Sequence, residues 1–121
     1  MQTGVNAYAL VARQIANPRE LEANLLLKAA SRLQAISDGW DETQDDLDDA
    51  LLYNRKLWTV FLTSVTEADH PLPQPIRQNV ANLGVFVMAQ TLSVLQEPRP
   101  EKLRSLIKIN RELAAGLLGR A

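Results

Sequence analysis

Two similar heptapeptides decide the fold of this chain: Leu51-Leu52-Tyr53-Asn54-Arg55-Lys56-Leu57 and Ile107-Lys108-Ile109-Asn110-Arg111-Glu112-Leu113. Both read apolar, any residue, apolar, Asn, Arg, charged, Leu. At about 100° per residue, each lies in a helical pattern with an asparagine in the middle of the apolar stripe. The stripe around Asn54 contains Leu47, Leu51, Trp58, Phe61 and Val65, and that around Asn110 contains Leu103, Ile107, Ala114 and Leu117.

The two asparagines admit two interpretations. A carboxamide in an apolar stripe needs hydrogen-bond partners, because leaving it unpaired costs about 1–3 kcal/mol. In the first interpretation both amides are buried and fix the register of a helical bundle. In the second, one amide faces a groove and pairs with a bound polypeptide.

Length and composition indicate one domain covering residues 1–121. The chain is 46% apolar and has no Cys, so it can bury a core without disulfides, and thiol chemistry is excluded. Residues 1–10 lack the basic start and apolar run of a secretory signal, which predicts a cytoplasmic protein. Thirteen basic and fourteen acidic residues nearly cancel, which disfavours broad binding to nucleic acid or anionic membranes.

Prolines and glycines divide the chain into about five helical segments, and no stretch has the period of a strand. We therefore predict an all-α fold, a compact bundle of about five helices. The first helix is expected over Asn6–Ala16. Asn17-Pro18-Arg19-Glu20 predicts the start of the second, with Asn17 as its cap, and Gly39 its end. Its inward residues are predicted to be Leu21, Leu25, Ala29, Leu33 and Ile36.

An acidic run precedes the third predicted helix. Thr43 is its expected cap, and the aspartates that follow complement the positive end of the helix dipole. An EF-hand loop counted from Asp41 would need Gly and Glu where this chain has Asp46 and Leu52, so we predict no metal site.

The fourth predicted helix, Pro75–Glu97, follows a proline-rich link and has no charged residue between Arg77 and Glu97. Its apolar side chains point nearly all round the axis, but five scattered amides argue against a membrane span. It is therefore either a central bundle helix or one that offers a second apolar side to a partner. The last helix is expected over Glu101–Leu118.

The residues offer no chemistry from which to predict an enzyme or a cofactor. His70 is the only histidine and lies in a joint, and the glycines are isolated. The last helix carries basic residues, but Glu101 and Glu112 interrupt them and no aromatic residue follows Phe86. A solvated basic face is therefore preferred over RNA contact.

The remaining class of function is binding to another polypeptide. The apolar content supports it, because it exceeds what is needed to bury one face of each helix in the core. Surplus apolar helix surface commonly makes a groove for an amphipathic helix. Trp58 is expected in the core, and Trp40, in the acidic joint, is the more exposed candidate. A bundle that self-associates stays open as an alternative. The candidate partner-binding residues are Tyr8, Trp40, Tyr53, Asn54, Arg55, Trp58, Arg77, Phe86, Asn110 and Arg111.

A series of landmarks also runs nearly end to end through the chain. They are Asn6-Ala7-Tyr8, Pro18-Arg19-Glu20-Leu21-Glu22, Ala50-Leu51, Asn54-Arg55-Lys56-Leu57-Trp58, Leu72-Pro73, Ile76-Arg77, Leu106-Ile107, Asn110-Arg111 and Gly116-Leu117. In their order and spacing the chain resembles the FlaF family of flagellar biosynthesis regulators.

The resemblance implies a cytoplasmic helper for flagellin production or export that acts on flagellin and alongside the regulator FlbT. Flagellin's terminal segments become helical in the filament, so before export a helical groove could shield their apolar stripes. We therefore expect a flagellin-binding secretion chaperone without catalytic activity. The alternative is a post-transcriptional regulator of flagellin that acts through FlbT or RNA.

Overall fold

The computed structural model describes residues 18–120, which form a helical bundle without strands in this range. Its helices are α1 (Pro18–Asp38), α2 (Trp40–Thr43), α3 (Leu47–Val65), α4 (Gln74–Gln96) and α5 (Leu103–Leu117). Short 3₁₀ turns, Gln44–Asp46 and Pro100–Lys102, lead into α3 and α5. The predicted all-α class is confirmed. The helix expected over Asn6–Ala16 and the cap at Asn17 lie outside the described residues.

The apolar stripes of α3 and α5 follow the predicted period. All six residues of the predicted α3 stripe, including the asparagine, are buried: Leu47, Leu51, Asn54, Trp58, Phe61 and Val65. On α5, Leu103, Ile107, Asn110 and Ala114 are buried as predicted, while Leu117 is half-buried. These two stripes form much of the core.

The buried face of α1 confirms the predicted Ala29, Leu33 and Ile36 but differs from the prediction in the first half of the helix. It contains Ala23, Leu26, Ala29, Ala30, Leu33 and Ile36. Leu21 and Leu25, which were predicted to point inward, are only half-buried, so the stripe is centred on Leu26 instead. The physical reason is that α1 packs against two helices, mainly α5 and also α3, and its buried alanines allow both to approach closely.

The start of α3 also differs from the prediction. Thr43 does not cap it, because its hydroxyl donates to the carbonyls of Gly39 at 2.9 Å and Ile36 at 3.2 Å. The helix begins at Leu47 without a side-chain cap, and Asp48 and Asp49 in its first turn complement the helix dipole. Within residues 18–120, no group of three or more His, Asp or Glu side chains is placed to hold a metal ion.

The fourth helix lies at the edge of the bundle and packs mainly on α3. The two run antiparallel, because Arg77 near the start of α4 contacts the carbonyl of Val65 at the end of α3, while Gly84, later on α4, meets Leu62, earlier on α3. A Cβ at Gly84 would lie 2.8 Å from Leu62 Cγ, so this glycine permits the close approach. Within residues 18–120 the helix is therefore not the central one, and its position corresponds to the other predicted placement, with a second apolar side. None of the helices in the described range has the length and apolar character that crossing a bilayer requires.

Candidate functional site

A buried polar cluster of Asn54, Trp58 and Asn110 joins three helices at the centre of the bundle. Asn110 accepts a hydrogen bond from Trp58 Nε1 at 2.9 Å through its Oδ1. Its Nδ2 donates to Asn54 Oδ1 at 2.7 Å and to the carbonyl of Leu26 at 3.4 Å. All three side chains of the cluster are fully buried. The cluster therefore sets the register of α3 and α5 and ties both to α1.

This geometry corresponds to the first interpretation of the two asparagines. Neither has any exposed surface, so neither lines an open groove in this conformation. Asn54 Nδ2 is buried and has no hydrogen-bond partner among residues 18–120. The cluster thus carries one unsatisfied donor, and Asn110, with three partners, is its hub.

The exposed surface of α4 contains a group of apolar side chains beside the exposed amides of Gln78, Asn79, Asn82 and Gln96. We use the name α4 outer face for Val85, Phe86, Ala89, Leu92 and Leu95, all of which are exposed. The four large side chains among them are 44–67% exposed. They lie away from the buried stripe of the same helix, which is Val80, Gly84, Val87, Thr91 and Val94. This helix therefore has the second apolar side that its sequence predicted.

Polar contacts hold both ends of α4. At its start, Arg77 Nη1 donates to the carbonyls of Glu67 at 2.9 Å and Val65 at 3.4 Å. Near its end, Gln90 Nε2 donates to the carbonyl of Lys102 at 2.9 Å, and Lys102 Nζ donates to Ser93 Oγ at 3.1 Å. Arg77, predicted as a partner-binding residue, is thus half-buried and serves as an anchor between α3 and α4.

The remaining predicted site residues are dispersed. Trp40 is half-buried against the core and is more exposed than the fully buried Trp58, as predicted. Tyr53 is half-buried, and its ring centroid lies 5.2 Å from the guanidinium carbon of Arg32 and 5.9 Å from Lys28 Nζ. The side chains of Arg55, Phe86 and Arg111 are exposed, and Tyr8 lies outside the described residues. That the accessible members bind a partner stays a prediction.

Two hollows lie away from α4. A groove of about 560 Å³ between the end of α1 and α5 is lined by charges of both signs: Asp38, Glu101, Arg104, Lys108, Arg111 and Glu112.

A cleft of about 400 Å³ at the start of α1 contains Arg19, Glu22 and His70. Burial raises the pKa of the Glu22 carboxyl, and the nearby His70 and Arg19 oppose part of that rise. Nδ1 of His70 accepts from the Leu72 amide at 3.2 Å.

Sequence reasoning did not place Val85, Leu92 or Leu95 among the binding residues. The sequence does indicate an apolar surface on this helix, since no charged residue lies between Arg77 and Glu97. It did not show which of the apolar residues would be covered by α3. The contacts of Lys102 with α4 left no pattern in the sequence.

Fold and surface together define a small all-α bundle with a polar cluster in its core and an exposed, uncharged apolar helix face. The family model described as flagellar protein FlaF matches residues 5–117, so the chain belongs to the FlaF family and is a flagellar protein. No curated protein and no solved structure matches the chain in the corresponding comparisons.

Proposed function

We propose that this protein binds flagellin in the cytoplasm and promotes its synthesis or export by shielding its terminal helices. The observation that carries the proposal is the α4 outer face, an exposed apolar surface on a helix without charged residues between Arg77 and Glu97. The family places the protein in flagellar biology. Flagellin's terminal segments, which become helical in the filament, would offer apolar stripes for such a face to cover before export. The proposal includes no catalytic step and no cofactor.

The physical basis is the burial of apolar area by an amphipathic partner helix. Such helices bind apolar surfaces through residues spaced three or four apart, which is also the spacing of Val85, Ala89 and Leu92 on this face. Apolar burial contributes about 25 cal/mol per Å², so covering several half-exposed side chains favours association. The lack of charge on this face means that no buried ion has to be desolvated.

An action through RNA has less support from the surface. Arg104, Lys108 and Arg111 are exposed on α5, but Glu101 and Glu112 line the same groove. Binding to phosphates favours uninterrupted positive charge, and acids within the site oppose it. An RNA route would give binding that weakens steeply with salt, whereas apolar contact with flagellin would be nearly insensitive to it.

The proposal is tested by isothermal titration calorimetry, in which the full-length protein is titrated with flagellin and with flagellin truncated at either terminus. We expect binding that one truncation abolishes. Leu92→Glu should weaken it at least about tenfold, because a charge would enter the apolar contact. Val60→Glu is the matched control, since Val60 is an exposed apolar residue on α3. A folded protein that does not bind flagellin, or a control that weakens binding as much as Leu92→Glu, would refute the proposal.

A further inference from the structure

An apolar seam lies between α4 and α5. Leu83 and Gln90 lie on the same flank of α4, seven residues apart, and Gln90 donates to the carbonyl of Lys102 just before α5. Ile109 and Leu113 follow Lys102 at helical spacing on the facing flank of α5. We use the name α4–α5 seam for the apolar side chains along these flanks: Leu72, Ile76, Leu83, Ile109, Leu113 and Leu117.

The two helices do not close this seam. The fourth helix packs mainly on α3 and only lightly on α5. Ile76 is 47% exposed although it lies on the same flank as the buried Val80, and the other seam residues are half-buried. No charged residue belongs to the seam, so an apolar segment could cover it without desolvating an ion.

The end of the seam at the start of α4 lies beside Pro18, the first described residue. Leu72 and Leu117 line a small hollow with Glu22 and His70. Glu22, His70 and Leu72 also line the cleft that contains Pro18. The chain therefore enters the described bundle next to the seam, after seventeen preceding residues.

The sequence before Pro18 matches the seam in chemistry. Residues 1–12 contain no charged residue, and the helix predicted over Asn6–Ala16 has one apolar side. That side consists of Tyr8, Ala12 and Ile15. The family match begins at residue 5, so this segment belongs to the region that the family shares.

The length of the segment matches as well. A helix over Asn6–Ala16 would be about 16 Å long at about 1.5 Å per residue. The fourth helix rises by about 15 Å from Val80, which lines the small hollow, to Gln90, which contacts Lys102. The predicted helix is therefore as long as the flank between these two contacts.

We propose that residues 6–16 lie along the α4–α5 seam of the same chain, with their apolar side against it. Residue 16 then lies near the start of α4 and residue 6 near Gln90, so the segment runs antiparallel to α4. Leu92 is nine residues from Leu83 and projects from the opposite side of α4. The segment therefore covers the seam and leaves Leu92 exposed.

The test is paramagnetic relaxation enhancement in NMR spectra of the full-length protein. The chain has no Cys, so Asn6→Cys accepts a single nitroxide label on the side of the predicted helix away from Tyr8. The label should strongly broaden the amide signals of Gln90 and Ile109. The amide signal of Tyr53, whose ring lies beside α1, should keep most of its intensity.

Ile15→Glu in the labelled protein should abolish this broadening, because it places a charge in the apolar contact. Leu10→Glu is the matched control and should leave the broadening unchanged, since Leu10 is an isomeric side chain on the opposite side of the predicted helix. Circular dichroism would show that both variants keep the helical bundle.

Uniform or absent broadening would overturn the inference, and so would stronger broadening at Leu92 than at Gln90. Broadening in a mixture of spin-labelled protein and isotope-enriched protein without the label would place the segment on a second copy, which would also overturn it. The same holds for a loss from Leu10→Glu as large as that from Ile15→Glu. These samples contain no flagellin, so their outcome is independent of the flagellin titration.

Discussion

Asn110→Leu is expected to destabilise the protein strongly, because Asn110 is the hub of the buried polar cluster. Leucine fits the apolar surroundings but removes the acceptor of Trp58 Nε1 and the donor to Asn54 Oδ1. Both of these groups are fully buried and would lose their only hydrogen-bond partner within the described structure. The long contact to the Leu26 carbonyl contributes less, since that carbonyl lies inside a helix.

The magnitude follows from the two groups left unpaired. A buried donor or acceptor without a partner costs about 1–3 kcal/mol, so the substitution should lower the free energy of unfolding by about 2–5 kcal/mol. The total free energy of unfolding of a domain of this size is about 5–15 kcal/mol. Each kcal/mol lowers the melting temperature by about 4–8 °C, so we expect a decrease of at least about 8 °C.

The assay is urea unfolding followed by circular dichroism, with Asn54→Leu as the comparison. Asn54→Leu should cost less, because it removes one acceptor but also removes the unpartnered Nδ2 of Asn54. In a double-mutant cycle, Trp58→Phe with Asn110→Leu should cost about 1–3 kcal/mol less than the sum of the single changes. Additive effects, or a larger loss from Asn54→Leu, would refute the reasoning.

Four further substitutions test other parts of the structure. Gly84→Ala should lower the free energy of unfolding, because its Cβ would lie 2.8 Å from Leu62 Cγ. Gly116→Ala is the control: a Cβ there would have nothing within 4 Å, so the substitution should raise the free energy of unfolding, measured in urea, by about 0.5–1 kcal/mol. Equal gains at both sites would contradict the packing of α3 on α4. Burial raises the pKa of Glu22 above 4.5, so its contribution to stability is full below that pH and is lost as the pH rises through the raised pKa. Glu22→Gln should therefore melt at a higher temperature than the parent at about pH 7 and equally at about pH 3, and a constant difference across this range would exclude the effect. Arg77→Met should cost about 1–2 kcal/mol and speed amide exchange in the first turn of α4, and unchanged exchange there would show that the arginine is not an anchor.

The buried faces of α3 and α5 could be predicted because helical periodicity is a local property. The residues predicted to be buried recur every three or four positions, and the asparagines stood out because they interrupted that recurrence. The period shows which residues share a face, but it does not show which helix covers that face. For this reason the stripe on α1, which packs on two helices, was predicted about one residue away from Leu26.

The partners of polar side chains could not be predicted from the sequence. Asn110 bonds to Trp58, which is 52 residues away, and to Asn54, which is 56 residues away. Contacts at such separations depend on how whole helices pack, which a periodic pattern does not specify. Thr43 was misassigned for a related reason, because its hydroxyl had two nearby carbonyls to bond instead of the amides of the next helix.

The positions of the polar contacts explain how α4 can keep an apolar outer face without collapsing further onto the bundle. Arg77 holds its start and Lys102 holds its end through directional hydrogen bonds to backbone carbonyls, while Gly84 lets its middle approach α3 closely. Turning the outer face inward would break these bonds and expose the buried stripe of the same helix. No other element of residues 18–120 covers the apolar side chains left outside, so they are available to another polypeptide, which is the physical basis of the proposed flagellin binding.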